Sequence, residues 1–325
     1  MNVEIKIYGP VPSRRLGKSM GVNNIPYKVC TYSCVYCQVG KANKMQVARQ
    51  AFYSPDNLLH EVQNAVQAIQ NTEEYPDFIA IVPDGEPTLD SDLGILIKKL
   101  KTTGIPVAVI TNASLLNLPD VQEDLSKADY VSVKIDAISS QIWSKIDHPV
   151  KSIELPAILE GIEHFSKNYS GTLVTETMLV KNYNDLETEL NKIASFTRSI
   201  KPSTAYLSIP TRPPAYKDIQ QPEIETLTQA FHIFKKYLDS VKLLIDYEGN
   251  AFTSIGKTEN DILAITAVHP MQEKALKELI QKKGLEFDLV NELVEKGLLN
   301  KIDYLGEIYY SRNFRHSPKE KKAKN

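Results

Sequence analysis

Short apolar runs recur through the first two thirds of the chain, with polar-faced stretches between them. Phe78-Ile79-Ala80-Ile81-Val82 and Val107-Ala108-Val109-Ile110-Thr111 are continuous and rich in β-branched residues, as strands buried on both faces are. Tyr130–Ile135, Leu173–Val180 and Tyr206–Ile209 continue the series. Between strands the apolar period lengthens. After Ser54-Pro55, the residues Leu58, Leu59, Val62, Val66 and Ile69 predict a helix from about Asp56 to Gln70. Another is predicted near Leu93–Leu100, ending before Gly104. Strands alternating with helices predict a parallel α/β sheet. Counting one strand before or beside the loop after Val29, about six are expected, fewer than the eight of a closed barrel. Sites in such sheets lie at the C-terminal ends of the strands, so polar residues there are read for function first.

Beyond Tyr216 the pattern predicts a helix over Pro222–Tyr237, a short strand Val241–Tyr247 and a turn at Glu248-Gly249-Asn250. From Thr258 the character changes. Two amphipathic helices, Met271–Gln281 and Glu286–Glu295, are joined through Gly284, and Ile302–Ser311 alternates like a hairpin turning at Gly306. Helix–turn–helix followed by a hairpin resembles a winged helix. The expected division is a barrel over 1–250, a small winged-helix-like unit over 258–312 and a disordered basic tail over 313–325.

Composition changes this picture little. The chain has 325 residues, 42% hydrophobic and 24% charged, with net charge −2. That charge gives no general attraction to nucleic acid. The would-be recognition helix carries Asp288, Glu292 and Glu295, which opposes ordinary groove docking. No apolar run approaches a membrane span, and MNVEIKIYGPVP has no signal-peptide core, so a cytoplasmic protein is expected.

The cysteines change it most. Cys30, Cys34 and Cys37 are the only ones, spaced C-x3-C-x2-C. A 4Fe–4S cluster normally takes four thiolates. Here one iron must find its ligand elsewhere. A zinc knot is the alternative, but it needs a fourth protein ligand and no histidine lies nearby. The spacing resembles the signature of the radical S-adenosylmethionine (radical SAM) superfamily, in which the open iron binds SAM. Tyr8–Gly17, Gly21-Val22-Asn23, Gly85–Leu89 and Thr211–Pro214 are similar to its wyosine-synthesis-like branch over about Ile5 to Tyr216. True wyosine synthases carry further cysteines for a second cluster, which this chain lacks.

The resemblance implies a partial (β/α)6 TIM-like barrel and two cofactors, a 4Fe–4S cluster on Cys30, Cys34 and Cys37 and SAM. Asp84-Gly85-Glu86 resembles the family's Gly-Gly-Glu motif, with Gly85 letting the backbone approach SAM and Glu86 accepting from its ammonium. Tyr36 stands at the aromatic position that seats the adenine. Thr111 and Asn112 end the next strand, where they either bond SAM or make the turn. Ser132, Lys134 and Asp136 share one strand face, and Lys134 and Asp136 there either bind SAM or substrate or pair with each other. Glu176 and Met178 share a face opposite Thr175 and Thr177, and the alternation leaves open which pair points inward. Arg212 is either an anion clamp or a solvent-exposed loop residue, and Arg14 and Arg15 either bind phosphate or pair with carboxylates.

The implied activity is reductive cleavage of SAM, with the electron from a donor such as flavodoxin or ferredoxin, and hydrogen abstraction from a substrate. RNA, a small molecule or a partner protein are the open substrate classes. With no spare cysteine, sulfur insertion and methyl transfer through a cysteine are disfavoured. A non-catalytic electron carrier or sensor is the rival reading.

Overall fold

The computed structural model describes residues 6–246 and 249–314. The chain opens with a hairpin of β1 (Ile7–Ser13) and β2 (Gly17–Val22), then a loop clasped at its base by β3 (Val29–Cys30) and β4 (Lys44–Met45). Repeating units follow: α1 (Pro55–Ala68), β5 (Phe78–Ile81), α2 (Leu93–Lys101), β6 (Val107–Thr111), α3 (Pro119–Leu125) and β7 (Tyr130–Lys134). Then come α4 (Ser140–Asp147), α5 (Leu155–Asn168), β8 (Thr172–Met178), α6 (Glu187–Ile200), β9 (Thr204–Ser208), α7 (Ile224–Tyr237) and β10 (Val241–Leu244).

These strands form one curled sheet of eight, ordered β1-β2-β5-β6-β7-β8-β9-β10. From β2 to β10 every neighbouring pair is parallel, and β1 alone runs antiparallel, at the edge. The expected six-strand α/β barrel is thus present as β2 and β5 to β9, widened by β1 and β10. Helix formation follows the pattern read from the sequence. Pro55 sits in the first turn of α1, where its missing N–H is harmless. In α2, Leu93, Leu96, Ile97 and Leu100 are fully buried at helical spacing, each contributing about 1.5–3 kcal/mol. Lys98, Lys99 and Lys101 occupy its last turn, where cations oppose the helix dipole favourably.

The two faces of the sheet differ. Ile79, Ile81, Val107, Val109, Val131, Val133 and Leu207 pack into the core shared with the helices. On the inner face, Ala80, Ala108, Tyr130, Val174, Tyr206 and Leu244 enclose Leu16 from the hairpin turn. Nearer the C-terminal strand ends this inner face turns polar, with Ser132, Lys134, Glu176 and Ser208.

The last part comprises α8 (Thr258–Val268), β11 (Met271–Gln272), α9 (Glu273–Lys282), α10 (Asp288–Glu295), β12 (Leu299–Tyr304) and β13 (Glu307–Arg312). The strands pair antiparallel in the order β11-β13-β12. Met271 and Gln272, expected to open a helix, instead form the third strand of this sheet. The region has its own core, which also takes Tyr8 and Val11 from β1. The sequence reading missed α8 because Ile262, Leu263, Ala264, Ile265, Thr266 and Val268 are all buried and leave no polar stripe to set a period. The two edges of the curled sheet are tied together: Thr253 N donates to Pro10 O at 3.0 Å, and Arg14 Nη1 donates to Asp246 O at 2.6 Å. Most of the basic tail, residues 315–325, and the end of the strand expected over Val241–Tyr247 lie outside the described residues.

Candidate active site

The cysteine loop is held on three sides. Lys28, at φ 55°, turns the chain, and its carbonyl accepts from Asn43 N at 3.0 Å and Lys44 N at 3.2 Å. Cys37 N donates to Cys34 O at 3.1 Å and Gly40 N to Cys37 O at 3.0 Å, so the last two cysteines sit on tight turns. Ser33 N and Val35 N donate to the carbonyls of Asp147 and Ile146 at the end of α4. All three thiols are half-buried. Burial, with the Glu86 charge adding to it, pushes the Cys30 thiol up to about 12. Burial and then Asp147 hold Cys34 well above its usual range. Cys30 and Cys34 therefore ionise most readily against an added positive charge, as a bound metal supplies. Among the described residues no three His, Cys, Asp or Glu side chains form a site for a single ion. Three soft donors on one pinned loop fit an iron–sulfur cluster with an open iron.

Against this loop lie the ends of β5 and β6. Glu86 is 1% exposed. Its Oε1 accepts from Thr88 N (3.0 Å), Thr88 Oγ1 (2.6 Å) and Thr111 Oγ1 (2.6 Å), and its Oε2 from Asn112 N (2.8 Å). Asn112 Nδ2 passes the connection on to Thr31 Oγ1 at 2.8 Å and stands 3.7 Å from Cys30 Sγ. Glu86, Thr111 and Asn112 are thus one unit that fixes the strand ends to the cysteine loop. Gly85 has a packing reason of its own: a Cβ there would lie 2.0 Å from the Val29 carbonyl oxygen. Beside it, Asp84 is buried, its carboxyl pushed up to about 6 by desolvation, and its Oδ1 has no hydrogen-bond partner among the described residues.

Exchange of Glu86 for glutamine is a direct check on this unit. An amide Nε2 facing Asn112 N–H places donor against donor, and a buried unsatisfied donor costs about 1–3 kcal/mol. The expected result for Glu86→Gln is a lower thermal midpoint and less iron bound after reconstitution, read by circular dichroism and iron assay. An unchanged midpoint would remove Glu86 from its structural role.

The second cluster surrounds Tyr36. Its hydroxyl donates to Asp136 Oδ2 and lies 3.4 Å from Asp147 Oδ1. Burial, then mutual repulsion, holds the Asp147 carboxyl well above the carboxylate range, and burial raises Asp136. Lys134 Nζ stands 4.7 Å from the Tyr36 ring centre, 3.8 Å from Asp136 Oδ2 and 3.7 Å from Glu176 Oε1. It is close enough to stay charged yet at hydrogen-bond distance from neither carboxylate. Glu176 points inward, which settles the face of β8. It is bonded by Arg15 and by Ser208 Oγ at 2.9 Å. Burial raises its pKa, but Arg15 and then Lys134 outweigh that and bring it to about 2. Arg15 also reaches Ser132 Oγ at 3.4 Å. Arg15 is therefore a carboxylate partner in this structure. Arg212 is 7% exposed, not a solvent-facing loop residue: it donates to Gln38 Oε1 and approaches His269 Nε2, both at 2.8 Å.

A cavity of about 290 Å³ opens beside Cys37 and is lined by Tyr36, Lys134, Glu176, Met178, Ser208 and His269, among others. The structure thus brings Tyr36, Gly85, Glu86, Thr111, Asn112, Lys134, Asp136 and Glu176 toward the cysteines at the C-terminal ends of the strands, whereas Arg14 and Arg15 come from the β1–β2 turn at the opposite end, Arg15 reaching inward to Glu176. Sequence reasoning missed Lys28, Gln38, Asp147 and His269. Nearness to the cysteines was a signal for Lys28 and Gln38; nothing local marked the other two.

Comparison with known proteins agrees with this geometry. Residues 24–192 match the model of the Radical SAM superfamily. The UPF0026 protein of Methanocaldococcus jannaschii is 42% identical over 314 residues, spanning 96% of this chain and 97% of that one. Among solved structures, TYW1 with a lysine–pyruvate adduct bound superposes with TM-score 0.54 at 17% identity, covering 69% of this chain and 76% of that one. SuiB of Streptococcus suis bound to S-adenosylmethionine superposes at 0.52 and 15%, covering 69% and 49%. At such identities the likeness is one of fold. The extent of the superfamily match and the identity to the UPF0026 relative carry the assignment: this chain is an enzyme of the radical SAM superfamily.

Proposed function

We propose that this protein holds a 4Fe–4S cluster on Cys30, Cys34 and Cys37, cleaves SAM reductively and removes a hydrogen atom from a small-molecule substrate. The observation that carries this reading is the chain's only three cysteines, held on one pinned loop with a cavity opening beside Cys37. When bound, the cluster and SAM supply the electron and the 5′-deoxyadenosyl radical. The protein's own residues bind, orient and shield. The Tyr36 ring forms a wall for the adenine. The Lys134 ammonium, kept charged by Asp136 and Glu176 but at hydrogen-bond distance from neither, meets the SAM carboxylate or a substrate anion. Asp136 and Ser132 would offer oxygens to SAM or substrate hydroxyls, Asn112, 3.7 Å from Cys30 Sγ, would stand beside the cluster, and Thr111 would hold Glu86 in place behind it. Gly85 and Glu86 serve this site by fixing the strand ends. The unit over 258–312 is read as a winged-helix-like cover. Gln38 Nε2 donates to Val268 O at 2.9 Å, and the hydroxyls of Tyr304 and Tyr309 donate to Pro210 O and Thr211 O at 2.9 Å. That cover, with the acidic α10, favours a small molecule over RNA. Among the described residues no helix is long and apolar enough to cross a membrane. Free half-buried thiols suit the reducing cytoplasm, with flavodoxin or ferredoxin as electron donor.

The test is anaerobic reconstitution, reduction with dithionite, addition of SAM and quantification of 5′-deoxyadenosine. Product is expected from the native chain and none from Cys37→Ala. An intact reduced cluster that neither binds nor cleaves SAM would leave the electron-carrier reading in its place.

A further inference from the structure

Lys28 is a buried cation with no part in the cavity. It lies two residues before Cys30 and is 3% exposed. Its ammonium donates to Cys37 Sγ at 3.3 Å, the one hydrogen bond it makes among the described residues. Cys30 and Cys34, on the same loop, are near enough to act on its charge as well. The nearby carboxylate that acts with it is Asp84, whose own charge is weakened by desolvation.

A buried ammonium needs a counter-charge, and lacking one it is strongly destabilising. Three thiolates around an iron–sulfur core supply it. The position of Lys28 is therefore accounted for by the loaded loop better than by the empty one.

The same geometry acts on electron transfer. One electron added to the cluster adds one negative charge beside a fixed cation in a poorly polarisable interior. Hydrogen bonds to cluster sulfurs and nearby charge are the main means by which a protein sets such potentials. We propose that Lys28 raises the reduction potential of the cluster, its ammonium binding the Cys37 sulfur and offsetting the charge gained on reduction. This rests on the reading that Cys30, Cys34 and Cys37 hold a 4Fe–4S cluster. Lys28 does not line the cavity beside Cys37, so it is a positioning residue, acting through Cys37.

The experiment compares the full chain with Lys28→Met, Lys28→Gln and Lys28→Arg, each reconstituted anaerobically. All three replacements keep the same left-handed backbone position, so its strain is common to them. The cluster is titrated with dithionite and redox mediators and followed by electron paramagnetic resonance. For Lys28→Met the ratio of reduced to oxidised cluster at a fixed potential is expected to fall about tenfold, which is about 59 mV for one electron. Lys28→Gln, a donor without charge, falls between, and Lys28→Arg stays near the native value. Equal midpoints for native and Lys28→Met at equal iron content overturn the proposal. If Lys28→Met and Lys28→Gln fail to load iron while Lys28→Arg loads normally, the charge is needed to hold the cluster, which supports it. Failure of all three marks a purely structural residue and overturns it. A native chain that forms no 4Fe–4S signal defeats the cluster reading instead, and is told apart by that.

Discussion

Gly85→Ala is expected to abolish cluster assembly although all three cysteines remain. The added Cβ would stand 2.0 Å from the Val29 carbonyl oxygen, and backbone cannot swing aside as a side-chain tip can. That carbonyl also accepts from Glu86 N at 3.2 Å. Relieving the overlap breaks this bond and moves the residue that starts the cysteine loop. The Glu86 carboxylate then loses its alignment with Thr111 and Asn112, and Asn112 its hold on Thr31. Overpacking in a tight core costs about 1–3 kcal/mol, and a broken buried bond adds a similar amount. The check is iron content and visible absorbance after reconstitution, with far-ultraviolet dichroism to establish that the barrel still folds. A folded variant with full iron loading would show that the close approach at Gly85 is dispensable.

Loss of Arg15 should have the largest effect on stability. Its guanidinium bonds Glu176 inside the barrel, and neither side chain has much access to water. Removing one partner of a buried pair costs about 3–5 kcal/mol, because a charge is left behind. Lys134, 3.7 Å from Glu176, compensates in part, which places Arg15→Met at the lower end. The pH dependence identifies the cause. The Glu176 pKa is depressed to about 2 in the folded protein from an ordinary 4.5. Its contribution is therefore fully present above about 4.5 and is lost as pH falls through 2. By linkage it amounts to roughly 3 kcal/mol. Without Arg15, burial raises that pKa and the carboxyl takes up its proton early. The gap between native and variant urea midpoints should be widest at pH 7 and narrow on acidification. Arg15→Met combined with Glu176→Gln should recover part of the loss. A gap of equal size at pH 7 and pH 3 would sink the ion-pair account.

The sequence alone determined the parallel strands, because burial on both faces leaves a continuous apolar run. It made the radical SAM cysteine motif legible, because Cys30, Cys34 and Cys37 lie within eight residues of one another. It placed Glu86, Thr111, Lys134 and Asp136 at strand ends, where the sheet geometry brings them together. Tertiary structure decided the rest. A period of two separates the faces of β8 without saying which one turns inward, and that was fixed by Arg15, 161 residues away. The reason for Gly85 is a carbonyl from a segment fifty-six residues earlier, at Val29. α8 left no helical period because it is buried nearly all round. Arg212, which the sequence left as either an anion clamp or an exposed loop residue, is buried by contact with His269 and Gln38. The physical reason is the same throughout. Local pattern records how much of an element is buried, whereas the choice of partner depends on chain segments that only folding brings together.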